Sequence, residues 1–138
     1  MNLDPVKTKQ LVDYWLRGSL EDLNGAKEIV DHTSRYASGL FFAHLCLEKA
    51  LKALYCQKTS QHAPYTHNLL ALVEKTGLQL SEADIQLLAE INEFNLEARY
   101  PDEKFTIYQR ASKDVASAYL RDVERIQSWI LQQLSNSP

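Results

Sequence analysis

The segment from about Ser34 to Gln57 constrains this chain more than any other. Tyr36, Leu40, Phe41, Phe42, Ala43, Leu45, Cys46, Leu47, Ala50, Leu51, Ala53, Leu54 and Tyr55 leave a helix drawn through it with almost no polar face. A helix that is apolar nearly all round is either central in its domain or shared with a second subunit. A bundle of this size rarely covers every side of one helix, so the pattern favours an intermolecular surface and a homodimer. It does not favour a membrane span. The run free of acidic and basic residues, Tyr36 to Leu47, is well short of the roughly twenty residues a span needs.

The rest of the chain is equally short of turns. It holds four glycines and four prolines in 138 residues, about half the usual share. A turn-rich β fold needs more, so long helices are expected. Asp4-Pro5 opens the first, with Asp as N-cap and Pro at the first helical position. Leu11, Trp15, Ser19, Leu23, Ala26 and Val30 keep one face to about His32, with a kink possible at Gly18. Thr33 or Ser34 caps the apolar second helix, and Lys58 to Tyr65 reads as a loop. Thr66 caps a short helix, Asn68 to Lys75, that Gly77 closes. Ser81, with Asp84 in place of a capping-box Glu, opens a helix with Ile85, Leu88, Ile91 or Asn92, and Asn95 or Leu96 inside. Pro101 stops it near Ala98, and an irregular stretch follows to Arg110. Ser112 caps the last helix, whose face runs Val115, Tyr119, Val123 or Asp122, Ile126, Ile130 and Leu134 before a frayed tail. The expected architecture is all-α: an up-down antiparallel bundle of four long helices and one short helix. One domain spans 1–138, with its core at about 5–134.

Charge narrows the partners. Fifteen basic residues against 18 acidic ones give a net charge of −3, which argues against an extensive surface for duplex nucleic acid but leaves room for a local anion site. The segment Met1 to Lys7 has no apolar signal region, and Cys46 and Cys56 are too far apart on one helix to bridge, so a cytoplasmic location is expected.

Most catalytic patterns are missing. The glycines are never clustered as a phosphate loop requires, and no nucleophile elbow occurs. Neither cysteine sits among activating polar residues. His62 and His67 lack the neighbours that would make a metal site, so no metal and no cofactor are expected. What stands out is a set of polar residues where a bundle does not ordinarily want them. His44, Glu48 and Lys52 interrupt the most apolar helix, His67 opens the short helix, and Arg99 and Tyr100 precede a proline-fixed turn with Asp102. Lys52, His67, Arg99 and Tyr100 form a candidate nucleotide or anion site, with Glu48, Asp102 and His44 as its supporting network. Arg would fork onto a phosphate, His and free N–H groups at the helix start would donate, and Tyr would stack. The same residues could instead pair internally, Arg99 with Asp102 or Glu48 and His67 on a loop carbonyl.

Three segments together resemble the HEPN domain family, small helical modules with proposed nucleotide binding. They are Tyr36-Ala-Ser-Gly-Leu-Phe-Phe-Ala-His-Leu-Cys-Leu-Glu48-Lys-Ala-Leu-Lys52-Ala-Leu, then Pro64-Tyr-Thr66-His67-Asn-Leu, then Ala98-Arg99-Tyr100-Pro101-Asp102. Trp15 and Asp22-Leu23 with Ala26 fit the first helix of that family, so the likeness covers about residues 11 to 130. It implies a helical bundle, commonly a homodimer, that works with a minimal nucleotidyltransferase as a two-component or toxin–antitoxin pair. Some relatives are metal-independent ribonucleases with an Arg and, four to six residues later, a His. Here no Arg is followed by a His at that spacing, since His67 is the last histidine. The expected function is therefore an accessory module with no catalytic residues. The alternatives are a ribonuclease using His44 or His67, and a dimeric scaffold.

Overall fold

The computed structural model describes residues 2–99 and 112–135. Helix α1 (Pro5–His32) starts as its sequence dictates: the Asp4 carboxylate accepts the Lys7 N–H at 2.8 Å, and Pro5 needs no acceptor. It runs through Gly18 as one helix and buries Ser19, Leu23, Ala26 and Val30. Thr33 ends α1 and does not cap its successor. Its hydroxyl donates to the Ile29 carbonyl at 2.6 Å and accepts the Arg35 N–H at 3.0 Å. Helix α2 (Tyr36–Thr59) thus begins later than expected, without a side-chain cap.

α2 is the axis of the molecule. It packs against α1 and against the three later helices, α3 (Leu69–Thr76), α4 (Glu82–Arg99) and α5 (Lys113–Ser135). Leu40, Cys46, Leu47, Ala50, Leu51, Ala53 and Leu54 are fully enclosed within this one chain. Most of the apolar surface of α2 is therefore covered by its own bundle, while Tyr36, Phe41, Phe42, Leu45 and Tyr55 stay partly exposed. Where α2 leaves the α1–α2 connection, the helices cross on Gly39. A Cβ there would lie 2.6 Å from Cγ2 of Val30.

The remaining caps differ from expectation by small steps. Asn68, not Thr66, caps α3, while the Thr66 hydroxyl accepts the Asn68 N–H at 3.1 Å. Gly77 closes α3 at φ 71°, a conformation that side chains disfavour. Ser81 accepts the Asp84 N–H and Ser112 accepts the Val115 N–H, as N-caps should. The inner face of α5 is Ala116, Leu120, Val123, Ile126 and Ile130, and Val115, expected inside, is 37% exposed. α4 reaches Arg99, one residue beyond the expected stop. The stretch 100–111, with Tyr100 and Asp102, and the tail 136–138 lie outside the described residues. The bundle is all-α, and among the described residues it has four long helices and one short, packed around α2.

Two polar arrangements tie the helices together. Ser19 donates to the Cys46 carbonyl at 2.7 Å, and the Gln127 amide donates to Ser19 Oγ at 3.0 Å and to Cys46 Sγ at 3.2 Å. This knot joins α1, α2 and α5, and burial pushes the Cys46 thiol up to about 12. Cys56, also buried and free, is raised for the same reason. On the surface, Arg125 of α5 forks onto Asp84 of α4 at 2.7 and 3.0 Å, and Tyr119 donates to Glu90 at 2.7 Å. The Arg125 fork holds the Asp84 carboxyl below the usual carboxylate range. A lowered folded value means that this contribution is complete above the ordinary carboxylate pKa of about 4 and disappears as pH falls through the folded value. Because Arg125 is 56% exposed, Asp84→Asn is expected to cost at most about 1 kcal/mol at pH 7. The difference from wild type should shrink in thermal melts as pH is lowered below about 4 and the Asp84 carboxyl takes up its proton. A loss that persists there would assign the effect to packing.

Candidate functional site

α2 carries His44, Glu48 and Lys52 one turn apart on a single stripe, and all three are buried. The Glu48 carboxylate is the centre of the cluster. Its Oε2 accepts from Lys52 Nζ at 3.0 Å, and its Oε1 accepts from His67 Nδ1 at 2.9 Å. His44 Nε2 donates to the His67 carbonyl at 2.8 Å, so two residues of α2 hold His67 at the start of α3. These bonds define tautomers: the proton is on Nε2 of His44 and on Nδ1 of His67. Lys52 Nζ also lies 5.1 Å from the Trp15 ring centroid, a cation–π contact from α1.

This is an internal network of the kind the sequence left open, with different pairs. Glu48 accepts from Lys52 and from the His67 ring, the His67 carbonyl receives a bond from His44, and the expected pairing of Arg99 with Asp102 lies outside the described side chains. The charge of Lys52 is balanced by Glu48 in a buried ion pair, which weakens its pull on an external anion. The free backbone donors expected at the start of the short helix are also committed. Asn68 Oδ1 accepts the N–H groups of Leu70 and Ala71 at 3.0 and 3.2 Å, and Asn92 Oδ1 accepts that of Leu69 at 2.9 Å. Asn92 Nδ2 in turn donates to Asn68 Oδ1 at 3.0 Å. An anion finds no vacant N–H in that turn.

What the cluster offers to a ligand is His67 itself. Its side chain is half exposed, and Nε2 makes no hydrogen bond with any described residue. A neutral ring presents this nitrogen as an acceptor for an amine or base edge, and a protonated ring presents it as a donor to phosphate. Arg99 stands about two turns beyond Asn92 along α4. Tyr100 and Asp102 lie outside the described residues. Trp15, Asn68 and Asn92 belong to the cluster although sequence reasoning did not place them there. Trp15 was legible as a face residue of α1 and Asn92 as an inner residue of α4, but neither carried a sign of its polar partner. Among the described residues no group of three or more His, Cys, Asp or Glu is placed to hold a metal.

A helical bundle with one central apolar helix and a buried carboxylate gripping the next connection defines a class of small all-α modules. The HEPN domain family model matches residues 12–134, and the chain belongs to that family. Two solved structures share the fold. TT1696 from Thermus thermophilus is 16% identical with a TM-score of 0.72, covering 88% of this chain and 97% of its own. ST0689, described as an archaeal HEPN homologue, is 24% identical with a TM-score of 0.68, covering 88% of this chain and 96% of its own. No curated protein matches the sequence.

Proposed function

We propose that the protein is an accessory HEPN module that binds a nucleotide and works with a minimal nucleotidyltransferase partner. The observation that carries the nucleotide part is His67: half exposed, locked at Nδ1 by buried Glu48, and open at Nε2. A ring fixed in this way is pre-oriented for a ligand and loses little freedom on binding. Glu48, Lys52 and His44 act as its support, and Arg99 and Tyr100 supply the phosphate fork and the stacking ring. The partner, like the homodimer, rests on the family resemblance.

The test is calorimetric titration of ATP and GTP into wild type, Arg99→Ala and His67→Ala, with each variant's fold checked by thermal unfolding. Binding to wild type that weakens about tenfold or more in both variants is the expected result. Negligible heat in all three proteins would remove the nucleotide part. Copurification with a co-expressed minimal nucleotidyltransferase then tests the partner separately.

A further inference from the structure

A second concavity is built entirely by residues outside the His67 cluster. Leu3, Lys7, Gln10, Leu11, Tyr14 and His62 line an open surface groove of about 420 Å³, a volume within the usual range for a small-ligand site. Its walls are fixed by backbone. The Leu3 N–H donates to the Ser60 carbonyl at 2.7 Å, tying the segment before α1 to the turn after α2. Ser60 has a φ of 55°, the one positive value among described non-glycine residues, and this turn carries the chain to His62 beside α1. A non-glycine residue held in that region is kept there by its surroundings.

The lining is chemically specific. Leu3 and Leu11 give an apolar floor, and Tyr14 is 66% exposed although it stacks edge-on to Trp15. Lys7 and His62 make no side-chain hydrogen bond or ion pair with a described residue. The Asp4 carboxylate, one turn before Lys7, is engaged in capping α1. An apolar floor, an open aromatic face and two cationic or donor groups without partners suit one kind of occupant.

We propose that this pocket binds a small organic anion made of a flat ring carrying a phosphate or carboxylate. The ring lies between Tyr14 and the leucines, and the anion meets Lys7 and His62. The site shares no residue with the His67 cluster, so it stands or falls apart from the nucleotide reading.

The experiment uses the full chain, labelled with ¹⁵N, and follows amide shifts during titration with phenyl phosphate, benzoate, phenol and inorganic phosphate. Saturable shifts centred on Leu3, Lys7, Leu11, Tyr14 and His62 are expected with phenyl phosphate or benzoate, and which of the two binds tighter identifies the head group. Phenol and phosphate alone should bind at least about tenfold more weakly, because each satisfies half of the lining. Lys7→Met and Tyr14→Ser, both at exposed positions that leave the bundle intact, should each weaken binding about fivefold or more. Absence of saturable shifts at millimolar ring-anion would overturn the proposal. So would shifts that are unchanged by both variants or that centre on His67.

Discussion

Glu48→Gln is expected to destabilise the protein by about 3 kcal/mol, roughly a 10 °C fall in melting temperature. The substitution keeps the shape of the side chain and removes its charge, so packing is not the cause. Glu48 is 4% exposed and Lys52 6% exposed, and the carboxylate is the ammonium's anionic partner at 3.0 Å. Without it a buried cation is left facing the Trp15 ring, whose attraction is a fraction of an ion pair's. Lys52→Met is expected to destabilise as well, since it leaves the buried Glu48 carboxylate with only the His67 hydrogen bond, although the methionine fills the space of the lysine stem. The double variant Glu48→Gln/Lys52→Met should therefore recover most of the loss. Thermal or urea unfolding of the four proteins closes the cycle. Additive losses would show that Glu48 and Lys52 do not act as a pair.

Gly39→Ala is the second large effect, about 1–3 kcal/mol of destabilisation. Intrinsic propensity pulls the other way, because Ala is the better helix former by about 1 kcal/mol. Sterics decide the sign. The new methyl would meet Val30 Cγ2 at 2.6 Å, a clash with a stiff β-branched side chain, while the Ala26 carbonyl at 3.4 Å leaves it no slack to shift toward the backbone. Val30→Ala in the same chain removes the first obstacle and should make Gly39→Ala far less harmful than it is alone. A Gly39→Ala protein as stable as wild type would mean that the α1–α2 crossing relaxes without penalty.

Much of the fold was readable because helix ends are local. Asp4-Pro5, Gly77, Ser81 and Ser112 act within one turn of themselves, and all cap as their sequences require. Thr66 and Asn68 are equally good caps on paper. The choice falls to Asn92, which takes the Leu69 N–H from another helix and so cannot be read from the loop. The phase of α5 was ambiguous for a similar reason. Val115 and Ala116 both begin acceptable apolar rows, and packing buries Ala116. Gln127 is invisible as a core residue until Ser19 and Cys46 are seen to satisfy it.

The candidate site was half legible. Motif order brought out His44, Glu48, Lys52 and His67, and the structure gathers those four. Their pairing was not legible, since a list of polar residues does not say which carboxylate holds which cation. Of the four, His67 has the half-exposed side chain, whereas Lys52 is buried beside Glu48.

The placement of α2 has a kinetic meaning as well. Each of the other described helices leans on it, so none of them comes away without baring some of its surface. Its middle turns are shielded from several directions at once, and their amide protons meet water only when the whole molecule opens. α3, only eight residues long, is pinned to the rest at its start by Asn68 and Asn92 and buries Leu69, Leu72, Val73 and Thr76. His67, just before it, is anchored to that centre through its ring, so a ligand held there would report directly on how firmly α2 is packed.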